Sequence, residues 1–175
     1  MIRVSNIRRA LEIAKEMDAE AIVSIVDPDE QIPIFTNQLH LVRSFIDTED
    51  RIDTFAPKQD DINAIFDFVI KRESQLRTLV CCAGGISRST ATAIGLHIAR
   101  GVAVDNAVRL VYADSPNLSP NRLVLRLIDK RLCLKNNLVS AVKDIITTLP
   151  QELTLWCHIC KSYFTEEQNC KGGHW

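Results

Sequence analysis

This chain lacks several features, and each absence narrows what it can be. It has almost no net charge: 21 basic residues against 22 acidic ones over 175 positions give −1 at neutral pH. That balance argues against general attraction to nucleic acid or to an anionic membrane surface. No apolar run approaches the roughly 20 residues needed to cross a bilayer. The first 20 residues carry charges throughout and have no apolar secretory core, so a cytoplasmic chain is expected. The six cysteines are not spread out as a disulfide framework. They fall into three groups, Cys81/Cys82, Cys133 and Cys157/Cys160/Cys170, which suits a reducing compartment with catalytic and metal-binding uses. There is no internal repeat and no low-complexity segment. Hydrophobic residues make up 46% of the chain, enough for one compact domain and a small appendage.

The stretch from Leu79 to Thr92, LVCCAGGISRSTAT, organises the rest. It reads as a short apolar strand, a loop of small residues and a helix. Cys82 and Arg88 are separated by Ala83, Gly84, Gly85, Ile86 and Ser87, and Ser89 follows directly. A loop that ends at a helix N-terminus presents N–H groups without intrahelical partners, and the helix dipole adds partial positive charge. Gly84 and Gly85 permit the tight backbone turns of a phosphate cradle. Arg88 offers a planar fork of donors for two phosphate oxygens. The same positive surroundings favour an ionised sulfur at position 82, a nucleophile beneath a bound phosphate.

CAGGISRST resembles the signature loop of the cysteine-dependent protein tyrosine phosphatases in their compact, dual-specificity-like form. It is most similar to the short bacterial and phage-type members, whose loop reads His-Cys-x-x-Gly-x-Ser-Arg-Ser-Thr. The likeness runs from about Ile2 to about Leu134 and takes in VSIVDP (23–28), LVRSFID (41–47) and SPNLSPN (115–121). It departs at Cys81, where the family usually has histidine. A reversible Cys81–Cys82 bond that protects the nucleophile is one reading of that change, although adjacent cysteines bridge only with strain.

The resemblance implies Cys82 as nucleophile, Arg88 and the amides of 83–88 as phosphate binders, and Ser89 as a hydroxyl that assists breakdown of the phospho-cysteine. It also implies an aspartate on a loop some thirty residues upstream that protonates the leaving oxygen. Asp47, Asp50 and Asp53 are in range; Asp47, at a strand end, matches the family pattern best. Asn121 matches a position that supports the loop. No cofactor is implied for catalysis. The implied substrate is a phosphorylated protein, phosphotyrosine first and phosphoserine or phosphothreonine second. The loop lacks the lysine of a strongly basic phosphoinositide-binding loop. Two alternatives stay open: hydrolysis of RNA 5′ ends or small phosphate esters, and a catalytically weak phosphate-binding interaction module.

Patterning predicts an α/β fold, a central, mostly parallel sheet flanked by helices. Strands are expected at 2–4, 21–26, 39–46 and 78–81. Helices are expected from Ser5 or Asn6 to Met17 and over 58–72, 89–100, 105–113 and 137–149. A further helix is expected with Ser119 as its cap and Pro120 in its first turn. The apolar positions of the first helix are Ile7, Ala10, Leu11, Ala14 and Met17. The site is expected at the carboxyl end of strand 78–81. The domain reading is a phosphatase-like catalytic domain over 1–135, a C-terminal helix over 136–150 and a tail over 151–175.

In the tail, Cys157-x2-Cys160 and Cys170-x3-His174 make a normal tetrahedral zinc set of three thiolates and one imidazole. So short a segment folds only around its metal. A structural zinc is therefore expected there, and with it a docking role toward a protein or, through Lys161, Lys171 and the neighbouring aromatics, toward nucleic acid.

Overall fold

The computed structural model describes residues 1–71 and 76–150, together with the backbone of two short strands at 154–157 and 162–165. Four apolar runs become strands: β1 (Ile2–Asn6), β2 (Ala21–Val26), β3 (Leu39–Ser44) and β4 (Thr78–Cys82). They form one sheet in the order β1-β4-β2-β3, with every neighbouring pair parallel. β2 and β4 are central and buried along their whole length, as expected of parallel strands covered on both faces. β3 lies at an edge; no residue of it is fully buried, and Leu39, Val42 and Ser44 are exposed. β1 is the other edge, where Asp114 accepts the Val4 N–H at 3.0 Å and the Arg3 Nε at 2.9 Å. That carboxylate occupies an edge donor that would otherwise invite pairing.

Among the described residues six α-helices complete the body. α1 (Ala10–Glu16) follows a 3-10 turn at Ile7–Arg9, capped by the Asn6 side chain, which accepts the Arg9 N–H. Its inward residues are Ala10, Ile13 and Ala14; Leu11, expected inside, is exposed. α1 covers one face of the sheet, against Ile22, Val26, Leu79 and Cys81. α2 (Gln59–Ile70), α3 (Arg88–Ala99), α4 (Val104–Asp114), α5 (Arg122–Leu132) and α6 (Leu138–Thr148) form the principal core. That core meets the sheet through Val23, Ile25, Val80 and Cys82. α3 is buried over ten of its twelve residues. It runs close to α5: a Cβ on Gly95 would lie 2.7 Å from Ile128 Cδ1 and Cγ2, so a side chain at 95 would force Ile128 to shift.

Strand alternation separates the paired cysteines. Cys81 belongs to the α1 face and Cys82 to the five-helix face. α6, read from sequence as a separate C-terminal helix, buries Leu138 and Val142 in the principal core. The turn before it is held by Asp129, buried in α5, whose two oxygens accept the N–H groups of Asn136 and Leu138 at 2.8 Å each.

One helix start differs from expectation. α5 begins at Arg122, and Asn121, not Ser119, is its cap, accepting the Val124 N–H at 2.9 Å. The preceding segment stays extended because the Ser119 and Asn121 N–H groups bond to the carbonyls of Ile86 and Ser87. The remaining strands, β5 (Thr154–Cys157) and β6 (Ser162–Thr165), pair antiparallel, with Cys157 opposite Ser162.

Candidate active site

β4 ends at Cys82 and α3 begins at Arg88, so residues 83–87 form the loop at the carboxyl end of a central strand. Its shape follows from where its carbonyls go. Gly85 O accepts from Ser115 Oγ at 3.0 Å. Ile86 O accepts from the Ser119 N–H at 3.0 Å and from Thr90 Oγ1. Ser87 O accepts from Thr90 Oγ1 at 2.9 Å, from the Ala91 N–H at 3.0 Å and from the Asn121 N–H at 3.3 Å. In a trans peptide the C=O and N–H point in opposite directions. Carbonyls tied to the surrounding frame therefore turn the following amides toward the loop's interior. Among the described residues no protein acceptor takes the N–H of any residue from Ala83 to Ser87. Gly85 has φ +69°, and a Cβ there would lie 2.5 Å from Asn6 N. The loop passes against the end of β1 at a distance only glycine permits.

Cys82 is buried beneath this loop, with its Sγ 3.1 Å from Ser89 Oγ. Arg88 is 3% exposed. Its Nη1 donates to Asp27 Oδ1 at 2.6 Å and to Phe45 O at 2.7 Å. Nε is buried without a partner. A buried guanidinium is tolerated only where its donors are satisfied. Here one corner is anchored, and the Nε edge, the edge that grips two oxygens of a phosphate, is left unused.

Asp47 lies at the rim, just beyond β3. Its Oδ1 accepts from Ser87 Oγ and from Asn121 Nδ2, both at 2.7 Å. Asn121 Nδ2 also donates to Thr48 O at 3.1 Å. The other two upstream aspartates serve their own loop: Asp50 accepts the Ile52 N–H and Asp53 the Phe55 N–H, each at 2.9 Å. The fold thus brings Cys82, Arg88, Ser89, Asp47 and Asn121 together and leaves Asp50 and Asp53 outside the cluster. A cleft of about 610 Å³ opens from Asp47, Ser87 and Asn121 toward Val142 and Ile146 of α6.

Cys81 faces away. Its Sγ lies 3.3 Å from Ser24 Oγ and 3.6 Å from Val23 O. Ser24 Oγ in turn lies 2.9 Å from His40 Nε2. Burial pushes the Cys81 thiol up to about 12, only partly offset by Ser24, so it stays protonated. Burial also holds the His40 imidazole below its ordinary range. Both cysteines are free and lie on opposite faces of one strand, so a bridge between them would require β4 to unpair locally.

No protein-family model matches the sequence, and no curated protein matches it. Solved structures do. Human DUSP28 aligns over 77% of this chain and 93% of its own, at 20% identity and a TM-score of 0.54. DUSP15 aligns over 86% and 93%, at 16% identity and a TM-score of 0.58. The Yvh1 phosphatase domain from Chaetomium thermophilum aligns over 78% and 92%, at 19% identity and a TM-score of 0.54. The chain has the fold of the dual-specificity phosphatases. A human tyrosine phosphatase-like serine/threonine/tyrosine-interacting protein also shares it, at 17% identity and a TM-score of 0.56.

Sequence reading missed Asp27. Along the chain it is only the Asp of an Asp-Pro step after an apolar strand; the pairing of β2 with β4 is what brings it beside the site. The zinc ligands expected in the tail, Cys160, Cys170 and His174, lie outside the described residues, as does the side chain of Cys157.

The Asp27 contact carries a prediction. Asp27→Asn keeps an acceptor for Arg88 Nη1 and Asp27→Ala removes it; a hydrogen bond to a charged group contributes about 1.5–3 kcal/mol. Calorimetric titration with inorganic phosphate is expected to give binding about tenfold weaker in the alanine variant than in the asparagine variant. Equal affinities would mean that Asp27 does not orient the guanidinium.

Proposed function

We propose that this chain is a phosphoester hydrolase acting through a phospho-cysteine at Cys82, with protein phosphotyrosine as first substrate and phosphoserine or phosphothreonine as second. One observation carries the reading: a buried cysteine closes a central strand, the loop that follows it has amides with no protein acceptor, and the loop ends at a buried arginine whose Nε has no partner.

The chemistry follows from the contacts. The Cys82 sulfur attacks phosphorus in line and the P–O bond to the leaving group breaks. Arg88 and the loop amides hold the equatorial oxygens, so the rate comes from positioning and electrostatics. Asp47, steered by Asn121 and Ser87, gives a proton to the departing oxygen. In the second half a water attacks phosphorus, its proton passes to Asp47 and the P–S bond breaks. Ser89 donates a hydrogen bond to the sulfur as negative charge returns to it. No metal takes part in these steps.

A second reading is a phosphate-binding module with little turnover. Two observations favour it: Cys81 makes its hydrogen bonds with Ser24 and Val23 rather than with the loop, and one structural neighbour is described as phosphatase-like.

Hydrolysis of para-nitrophenyl phosphate in the presence of chelator separates the two readings. Wild type is expected to turn over and Cys82→Ser to be inactive. Asp47→Asn is expected to lose about 10²–10⁴-fold on a phosphotyrosyl peptide. Its loss on the nitrophenyl ester should be smaller, because nitrophenolate leaves without being protonated. An inactive wild type that still binds phosphopeptide would favour the module. Equal losses on the two substrates would remove Asp47 as the acid.

Cys157, Cys160, Cys170 and His174 would hold one structural zinc. Cys157 closes β5 opposite the first residue of β6, and Cys160 falls between the two strands, an arrangement that suits a metal knuckle. The expected zinc content of the purified chain is one ion per molecule, lost in Cys160→Ser while nitrophenyl phosphate hydrolysis continues. A metal-free wild type would end the zinc reading.

A further inference from the structure

A second cleft, of about 1070 Å³, continues from the one beside Asp47 and Ser87; Arg122, Val139 and Lys143 line both. Its walls carry six cationic side chains, Arg51, Arg122, Arg126, Lys130, Lys135 and Lys143, all exposed. Little opposes them. Asp129 borders the cleft, but it is buried and its oxygens are taken by backbone N–H groups. Glu49 sits at the junction and pairs with Arg122. Among the described residues the other five cations form no ion pair. The chain as a whole is nearly neutral, so this concentration of one sign is local to a groove leading away from the phosphate loop.

A positive groove continuous with a phosphate site fits a polyanion that enters the site at one point. No aromatic residue lines it, so it lacks the stacking surface on which single-stranded nucleic acids are held. We propose that this groove receives acidic residues flanking the phosphorylated side chain of a protein substrate, and so selects phosphosites in acidic sequence. The inference rests on the phosphate-binding part of the function proposed above.

The test uses Cys82→Ser, so that binding is read without turnover. Three ligands are compared by fluorescence anisotropy: a phosphotyrosyl peptide with acidic flanks, the same peptide with neutral flanks, and a single-stranded RNA of similar length. The acidic peptide is expected to bind at least about tenfold more tightly than the neutral one. The preference should shrink steeply with added salt. It should be lost when Arg126→Glu and Lys130→Glu are added and kept when Arg8→Glu and Lys15→Glu are added instead. Equal affinity for the two peptides would overturn the proposal, and so would RNA binding more tightly than the acidic peptide. The peptide comparison does not depend on the charge-reversed variant folding. Failure of the wild type to hydrolyse para-nitrophenyl phosphate would count against the hydrolase alone, since the binding comparison reads the groove in either case.

Discussion

The site depends on carbonyls that point outward. Ser115, Thr90, Ser119 and Asn121 bind the carbonyl oxygens of Gly85, Ile86 and Ser87, and peptide geometry turns the amides inward. Those donors come from the turn after α4, from the first turn of α3 and from the segment leading into α5. Three separate parts of the chain thus hold one five-residue loop. A row of unpaired N–H groups costs free energy when it has neither water nor a ligand, and the surrounding frame holds it in place. An oxyanion then meets donors already oriented, with little reorganisation left to make.

The same economy governs Arg88. Buried at the first position of α3, it would be costly without partners. Asp27 and the Phe45 carbonyl satisfy Nη1 and fix the plane of the guanidinium. Asp27 closes β2 and Phe45 follows β3, so the sheet itself aims the arginine. Asp47 comes from the same end of β3, and Asn121 couples it to α5 while capping that helix. One asparagine therefore links helix initiation and placement of the rim carboxylate through its side chain, and loop support through its backbone N–H.

Much of this could be read from the residues. The apolar runs at 21–26 and 78–81 place the two central strands because parallel strands buried on both faces need nothing but apolar side chains. The small-residue loop between a strand and a helix declares itself through Gly84, Gly85 and Arg88. Other features depend on register across strands and are not visible along one chain. Ser24 looks like an interruption in an apolar strand; it is the hydrogen-bond partner of Cys81 because the two are opposite each other in β2 and β4. Asp27 reads as a turn residue until the sheet order brings it to Arg88. Ser119-Pro120 has the form of a helix start, but backbone bonds to Ile86 and Ser87 keep that segment extended and pass the cap to Asn121. Leu11 has helical spacing, yet the short helix α1 turns Ile13 inward in its place. The basic groove is assembled from Arg51, α5, the turn after it and α6, and the near-zero net charge conceals it.

The account stands on a phosphoryl group seated between the Cys82 sulfur, the inward amides and the unused edge of Arg88. A crystal structure of the wild-type chain with vanadate tests this most directly. The account predicts vanadium bonded to Cys82 Sγ, with Arg88 Nε donating to a vanadate oxygen while Nη1 keeps Asp27 and Phe45. Vanadate bound elsewhere, or an arginine that must leave Asp27 to reach it, would contradict the account.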